Sequence, residues 1–530
     1  MAIAIDFGTS NTVISRWNPA TEQPETLKLP GLSQISGQNP PLIPSLVYVE
    51  DAARETVLLG QQVRDRGCDL ASDPRFFRNF KRGIGSDIQG FLPELDGRTV
   101  SFERVGEWFL KGTISALREI PLPTDSVIFT VPVDSFEAYR NWLGGVCDSL
   151  AVEQVRMIDE PTAAALGYGL GDRELLLVVD FGGGTLDLSL VRLDIKTQKT
   201  PLGFILKWGQ KSFADSSGQK AKTARVLAKA GQNLGGSDID YWLVDYFSKT
   251  QELPKTPLTT RLAERLKIQL SLQTEAEEVY FNDETFESYE LGITRDRFEE
   301  ILREHQFFDN LDASMNQVLQ QARRQGIEVG DIDAVLLVGG TVQIPAVQRW
   351  VKQYFDANKI RRDKPFEAIS HGALQLSLGT QIEDFIYHSY GIRYWNRRDN
   401  CHSWHPIIKS GQPYPMAEPV ELVLGASLEN QPSIELIVGE LGAETGGTEV
   451  FFDGDRLVTR SLAGGQTAVQ PLNDTDAGRT IAKLTPPGSP GSDRVRVQFS
   501  IDERRFLRIT VEDLLTNQTL LNNQVLVELS

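Results

Sequence analysis

Basic residues are in short supply: 54 Lys and Arg stand against 72 Asp and Glu, a formal net charge of −18. Nucleic acids and anionic bilayers are held by clustered Lys and Arg, so neither is expected as a partner. A small basic pocket for one nucleotide survives that exclusion. Cysteine is scarcer still. Cys68, Cys147 and Cys401 are far apart and odd in number, which leaves no metal-ligand spacing or disulfide framework and fits a reducing compartment. No apolar run approaches membrane-spanning length, and Met1 leads directly into AIAID without a signal-peptide pattern. A cytoplasmic, non-membrane protein is the expectation.

What is present is ample material for folded cores: 530 residues, 40% hydrophobic and 24% charged, too long a chain for a single core. The first half alternates strand-like and helix-like segments, as α/β folds do. SVIFTVPV (126–133) is rich in β-branched residues, and SFEAYRNWLGGVCDSL (135–150) has helical spacing. ELLLVVDF (174–181) and DAVLLVGGT (333–341) are nearly continuous apolar runs, the pattern of strands covered on both faces. One helix is expected from about Arg295 to Gln325, ending before Gly326. After about Leu378 the character changes to short strands: VELVLGASL (420–428), SIELIVGEL (433–441), RVRVQFSID (494–502) and RFLRITVED (505–513). The last two alternate apolar and polar residues across a short turn, which predicts a hairpin.

Two stretches echo each other. AIAIDFGTSNT opens the chain, and VVDFGGGTLDLSL (178–190) repeats its strand, Asp-Phe-Gly turn and hydroxyl residues, with Asp180 matching Asp6. Glycine lets backbone N–H groups approach phosphate oxygens, and such amide nests bind anions without full positive charge. The aspartates would repel phosphate and must face a cation; Mg²⁺ is commonly held by one or two carboxylates, water and phosphate oxygens. Either turn alone is weak, since most glycine-rich hairpins are only tight turns. Asp-Phe-Gly also belongs to kinases, but no strand lysine of the V-A-I-K type or H-R-D loop accompanies it. VLLVGGTVQIP (335–345) supplies a third glycine turn. In TTRLAERLKIQLS, Glu264, Lys267 and Ser271 share one helix face opposite an apolar stripe of Leu262, Leu266 and Leu270.

With IDFGTSNT, VVDFGGGTLDLSL, VLLVGGTVQIPAVQ and above all MIDEPTAAALGYGL (157–170), the chain resembles the heat-shock protein 70 (DnaK-type) chaperones of the actin/hexokinase ATPase superfamily. FKRGIG (80–85) and NLGGSDID (233–240) add to the likeness. It implies an α/β actin-like ATPase of two lobes with a duplicated βββαβα core over 1–383, the second lobe starting near 174. A mostly antiparallel β domain, 384–530, would follow without a helical lid. The resemblance also implies ATP/ADP with Mg²⁺, and K⁺ as a further candidate. Asp6, Glu160 and Asp180 would surround the hydrated metal, Lys81 would stabilise γ-phosphate charge, and Thr9, Ser10 and Thr185 would bind phosphate oxygens. Asp180, or the Asp180–Asp187 pair, would orient the attacking water. Gly8, Asn11, Gly182, Gly183, Gly184, Gly235, Gly236, Ser237, Gly339, Gly340, Thr341 and Gln343 would complete the phosphate and nucleoside walls, with Glu264, Lys267 and Ser271 on the ribose and adenine. A polypeptide client, a J-domain co-chaperone (through Arg156) and a nucleotide exchange factor are the implied partners, and Pro132 with Arg140 the relay between lobes.

Departures from the pattern matter. Val342-Gln343 stands where the family has Thr-Arg, so a guanidinium that stacks on the base is missing. Phe366 replaces an acidic residue near the same pocket, and Asp159 an asparagine. The aliphatic linker is reduced to Ile382, Phe385 and Ile386 within TQIEDFIYHSYGIRYW. Two readings follow: an ATP-driven chaperone-like switch, or a nucleotide-regulated module that docks one dedicated protein partner with slow turnover. A small-molecule kinase would need a base aimed at a substrate hydroxyl, against which the EPTAAALGYG segment argues; an actin-like filament is a further alternative.

Overall fold

The structure, a computed structural model, describes residues 2–37, 39–86, 88–89, 92–120, 126–132, 137–148, 154–169, 174–195, 206–207, 222–282, 285–375, 385–386, 389–396, 401–409, 412–416, 418–441, 448–453, 456–461, 469–474, 480–502 and 505–529. Most of the linker segment 379–385 therefore lies outside the described residues. Contacts divide the chain into Met1–Ile382 with Glu449–Arg460, and Glu383–Thr448 with Ser461–Ser530.

The first unit holds two sheets built to one plan. In one, Ala2–Phe7 is central: Ser126–Val131 and then Gln154–Asp159 run parallel on one side, and Asn11–Asn18 and Gln23–Thr26 run antiparallel on the other. In the other, Glu174–Phe181 is central, with Ala334–Val338 and Ile360–Arg361 parallel on one side and Leu186–Ile195 and Lys222–Gln232 antiparallel on the other. Asp6 and Asp180 thus occupy the same place, the next-to-last residue of each central strand. The echo in the sequence is a duplicated fold.

Burial on both faces explains the apolar runs. Leu176 and Val178 of the second central strand enter one core, while Leu175, Leu177, Val179 and Phe181 enter another with the helices behind the sheet. Ala4 of the first central strand joins the former core, and Phe7 points the other way, 5.6 Å from the ring of Phe109 and 6.1 Å from Phe80.

The core shared by both sheets is filled by two short helices, Glu160–Gly167 and Ala368–Leu374. They cross backbone to backbone. A Cβ at Gly167 would lie 2.7 Å from the Ala368 carbonyl carbon, and one at Gly372 would lie 2.5 Å from the Gly167 nitrogen and 2.7 Å from the Ala163 carbonyl carbon.

Two expectations need correction. The helix expected over 295–325 is two helices, Arg295–Glu304 and Phe307–Arg324, broken where Gln306 turns left-handed at φ 55°. Tertiary packing sets the break: His305 stacks on Trp242 at 4.5 Å, and Phe307, fully buried, stacks on Phe181 at 5.7 Å. SIELIVGEL is likewise two strands. Gln431–Leu436 pairs with Thr480–Gly488, whereas Val438–Leu441 pairs with Ser389–Asn396 and Val469–Pro471. Buried Asn473 holds the corner, accepting from the Val438 N–H at 2.8 Å and donating to the Leu436 carbonyl at 3.0 Å.

The second unit is otherwise as its alternation predicts. Val420–Gly425, Asp493–Ile501, Phe506–Asp513 and Gln518–Glu528 form an antiparallel sheet in that order. The hairpin places Val497 opposite Val511, Phe499 opposite Ile509 and Ile501 opposite Leu507, all of them buried. Among the described residues no helix is long and apolar enough to cross a membrane.

The helix crossing yields a first prediction. Gly372→Val should lower stability by about 1–3 kcal/mol or more, since backbone on the facing helix cannot give way. Gly145→Ala, on an exposed helical site with open space around it, should be neutral or stabilising by up to ~1 kcal/mol. Thermal unfolding of both variants against the parent checks the contrast; equal melting temperatures would contradict the tight crossing.

Candidate functional site

Each central strand ends in a glycine turn, and the two turns meet. Gly8 has no room for a side chain, because a Cβ there would sit on the Asn11 carbonyl. Ser45 holds this turn, donating its hydroxyl to the Gly8 carbonyl at 2.7 Å and its N–H to the Ser10 carbonyl at 2.9 Å. Across from it, a Cβ at Gly184 would lie 2.5 Å from Thr9 Oγ1, and one at Gly183 would lie 2.7 Å from Ser10 Cβ. Thr9 and Ser10 therefore face Gly183 and Gly184 directly, with Thr185 closing its turn by accepting from the Gly182 N–H at 3.0 Å.

The other two glycine turns support the second one. Gly236 and Ser237, opening the helix Gly236–Gln251, donate their N–H groups to the carbonyls of Gly182 and Gly183 at 3.1 and 2.9 Å. These two amides pin the 182–185 turn rather than face a ligand. Gly235 packs so closely that a Cβ would come within 2.5 Å of the Gly184 nitrogen. Thr341 adds a hydroxyl bond to the Gly182 carbonyl at 2.8 Å, and Gly339, at φ 85°, donates to the Pro365 carbonyl at 2.7 Å. Gly340 carries the ring of Phe366, whose Cε1 lies 3.2 Å from where a Cβ would be. Gln343 is half-buried in the same 3₁₀ turn.

Charge concentrates between the turns. Asp6 accepts from Thr130 Oγ1 at 2.8 Å. Glu160 is the first residue of its helix, which Asp159 caps by accepting from the Thr162 N–H at 2.8 Å. Lys81, on the 3₁₀ turn Phe80–Gly83, reaches Glu160 Oε1 at 3.3 Å with both side chains only 11% exposed. Asp180 lies opposite Asp187 in strand register. Burial first, and then Glu160, push the Asp6 carboxyl up to about 7, although Lys81 and Thr130 pull it down. Asp180 is pushed well above the carboxylate range by burial, then by Glu160, Asp187 and Asp6. Burial disfavours charge on Lys81, but Glu160, Tyr139 and Asp6 outweigh it and hold the ammonium more firmly than usual. One ammonium thus serves a group of carboxylates too close together to ionise freely.

The helix Pro257–Leu272 presents Glu264 and Lys267 as its spacing predicts, with Leu262, Leu266 and Leu270 buried behind. Lys267 is anchored twice, to Asp240 at 2.6 Å and to the Gly236 carbonyl at 2.7 Å. Glu264 meets Arg64 at 3.4 Å; burial opposes its ionisation, but Arg64, Lys267, Arg78 and Arg261 keep its carboxyl below the usual range. Ser271 donates to the Lys267 carbonyl of its own helix at 3.1 Å.

Sequence reasoning passed over Arg82. Its guanidinium, 2% exposed, binds Asp238 Oδ2 at 2.6 Å and the Gly184 carbonyl, tying the Lys81 turn to the opposite glycine turn. Buried Asn79 does the same, accepting from Ser237 Oγ at 3.0 Å. Their position beside Lys81 was the only signal. Arg156 stands on the strand Gln154–Asp159, where burial weakens its hold on the proton, and Pro132 follows Val131; the side chain of Arg140 lies outside the described residues. Among the described residues no three His, Cys, Asp or Glu side chains converge tightly enough to ligate a metal directly.

Comparison with known proteins adds two findings. A family model described as "Hsp70 protein" matches residues 124–198 and 222–382. "Chaperone protein dnaK1" of Synechocystis sp. is 27% identical over 415 residues, which are 74% of this chain and 51% of that protein. The chain therefore spans about half the length of this curated relative. Two sheets of one plan, a glycine turn at the end of each central strand and these matches agree: over residues 124–198 and 222–382 the chain is similar to the Hsp70 family, and its fold is actin-like.

Proposed function

We infer that the chain binds Mg-ATP between its two glycine turns, hydrolyses it, and couples the nucleotide state to polypeptide binding by the C-terminal β unit. One observation carries the reading: Thr9 and Ser10 face Gly183 and Gly184, with Lys81 and the buried carboxylates of Asp6, Glu160 and Asp180 gathered beside them. Excess buried negative charge with a single lysine fits a hydrated dication. Asp6, Glu160 and Asp180 would hold Mg²⁺ through water, and the bound ion would neutralise phosphate charge.

The chain's own groups do the rest. Hydroxyls of Thr9, Ser10 and Thr185 receive phosphate oxygens, and Lys81 stabilises charge that grows on the transferred phosphoryl group. Asp180, backed by Asp187, accepts a hydrogen bond from the attacking water and sets its direction. Glu264 and Lys267 receive the ribose. J-domain and nucleotide-exchange partners belong to this same proposal. The alternative of a slow, nucleotide-regulated docking module draws on Phe366 over Gly340 and on Gln343, which change the wall where the base would lie.

Lys81→Ala should reduce ATP hydrolysis by at least roughly 10²-fold, the usual loss for a group that stabilises developing charge, while ADP affinity changes little. Steady-state turnover and ADP titration decide it, and undiminished turnover would remove Lys81 from its role. Coupling is tested with a fluorescent extended peptide: affinity should be lower with ATP than with ADP. Equal affinities alongside normal hydrolysis would favour the docking-module reading, as would recovery of one protein partner in place of broad binding to a peptide array.

A pH dependence also follows. Folding raises the Asp6 carboxyl to about 7, so its favourable contribution is complete below its unfolded value and is lost as pH rises through about 7. Asp180, Glu160, Lys81 and Tyr139 share that environment. The nucleotide-free protein should therefore melt at lower temperature at about pH 8 than at about pH 6, and Asp6→Asn should flatten the slope. Parallel slopes in parent and variant would contradict the assignment.

A further inference from the structure

Beside Thr9 and Ser10 of the first glycine turn lies a small pocket, partly open to solvent, whose lining includes Arg64, Asp69, Arg78, Asn79, Arg261 and Glu264. Its charges do not cancel. Asp69 pairs with Arg261 at 3.1 Å, Glu264 with Arg64 at 3.4 Å, and Asp240 with Lys267 at 2.6 Å. Those are the three carboxylates that act on Arg78, and each already has a cation. The Arg78 guanidinium forms no hydrogen bond or ion pair among the described residues and rests 5.7 Å from the ring centre of Tyr241. It is a surplus cation in a chain of net charge −18.

A second group beside it also wants a partner. Asn79 is 3% exposed, and while its Oδ1 accepts from Ser237, its Nδ2 has no acceptor. Buried donors without acceptors are uncommon and costly. The guanidinium and this amide are donors of different kinds on the wall of one pocket, and neither belongs to the groups assigned to the nucleotide. A guanidinium fork beside an amide donor suits an oxyanion with several acceptor oxygens, and phosphate meets that description.

We propose that this pocket is a second phosphate site, adjoining but separate from the cradle between the glycine turns, with Arg78 as its anchoring cation. Its ligand is inorganic phosphate or a phosphate monoester carried on a ribose. The site stands on Arg78 and Asn79 and does not require the nucleotide reading to hold.

The test is calorimetric titration of inorganic phosphate onto the full chain, with and without saturating ADP. Phosphate should bind in both conditions, and Arg78→Gln should weaken it at least roughly tenfold, the loss expected for one charge-assisted hydrogen bond, while ADP affinity stays within about twofold. Arg78→Lys, which keeps the charge and loses the fork, should weaken phosphate less and serves where Arg78→Gln does not fold. Adenosine 3′,5′-bisphosphate separates the sources: an affinity gain over adenosine 5′-monophosphate that vanishes in Arg78→Gln assigns a ribose-borne phosphate, and no such gain assigns free phosphate. Phosphate binding that is indifferent to Arg78, or abolished by ADP, overturns the second site. Failure of ADP to bind would instead remove the nucleotide reading and leave this one standing.

Discussion

Two helices touching backbone to backbone between two sheets set the terms for everything in the cleft. Glycine at positions 167 and 372 is what allows the contact, because a Cβ at either would meet main-chain atoms that no rotamer change can move. Both helices lead straight into the site. One begins with Glu160, the carboxylate that faces Lys81. The other follows Pro365, whose carbonyl holds Gly339, and Phe366, which covers Gly340. Ser370 and His371 then fix the second helix to the first sheet, through Ser15 at 2.8 Å and Thr26 at 3.0 Å. A shift at the crossing is therefore a shift of the acidic centre and of the wall near Gly340 together.

The acidic centre is held at a cost in stability. Burial and mutual repulsion raise Asp6 and Asp180, so these carboxyls are pushed toward protonation, and positive charge brought beside them would relieve it. The cost is tolerable because the frame is backbone: the carbonyls of Gly182, Gly183 and Gly184 accept from Gly236, Ser237, Thr341 and Arg82. A turn whose carbonyls are held in this way needs little reorganisation when charge develops beside it, which is the physical content of preorganisation.

Much of this was legible in the residues, and unevenly so. Strands buried on both faces leave an apolar run that needs no context, so ELLLVVDF and DAVLLVGGT were read correctly, and the repeated Asp-Phe-Gly announced the duplicated core. The 295–325 helix was misjudged because its pattern continues across His305-Gln306, and only the stacking of His305 on Trp242 and the burial of Phe307 break it. SIELIVGEL looks like one strand because alternation cannot register a change of sheet made by Asn473, many residues away. Arg82 went unassigned, since a cation that bridges two turns acquires its role only when residue 238 is brought beside it. Lys267 was assigned to a face correctly, but its anchoring by Asp240 and Gly236 is tertiary.

Two departures from the family pattern, Gln343 and Phe366, fall at the margin of the site, while a third, Asp159, caps the helix that begins with Glu160. Gln343 and Phe366 form the wall next to Gly339 and Gly340, away from Asp6, Lys81 and Glu160. Arg78 brings an unpaired cation to another margin, next to Asn79 and within the same run of chain that carries Lys81. Under the proposed function, groups that handle developing charge and groups that choose the ligand would thus be different residues, held by the same backbone frame. Selectivity can therefore change at either margin without disturbing the carboxylates and the lysine, because no hydrogen bond or ion pair links Arg78 or Phe366 to Lys81, Glu160 or Asp6 among the described residues.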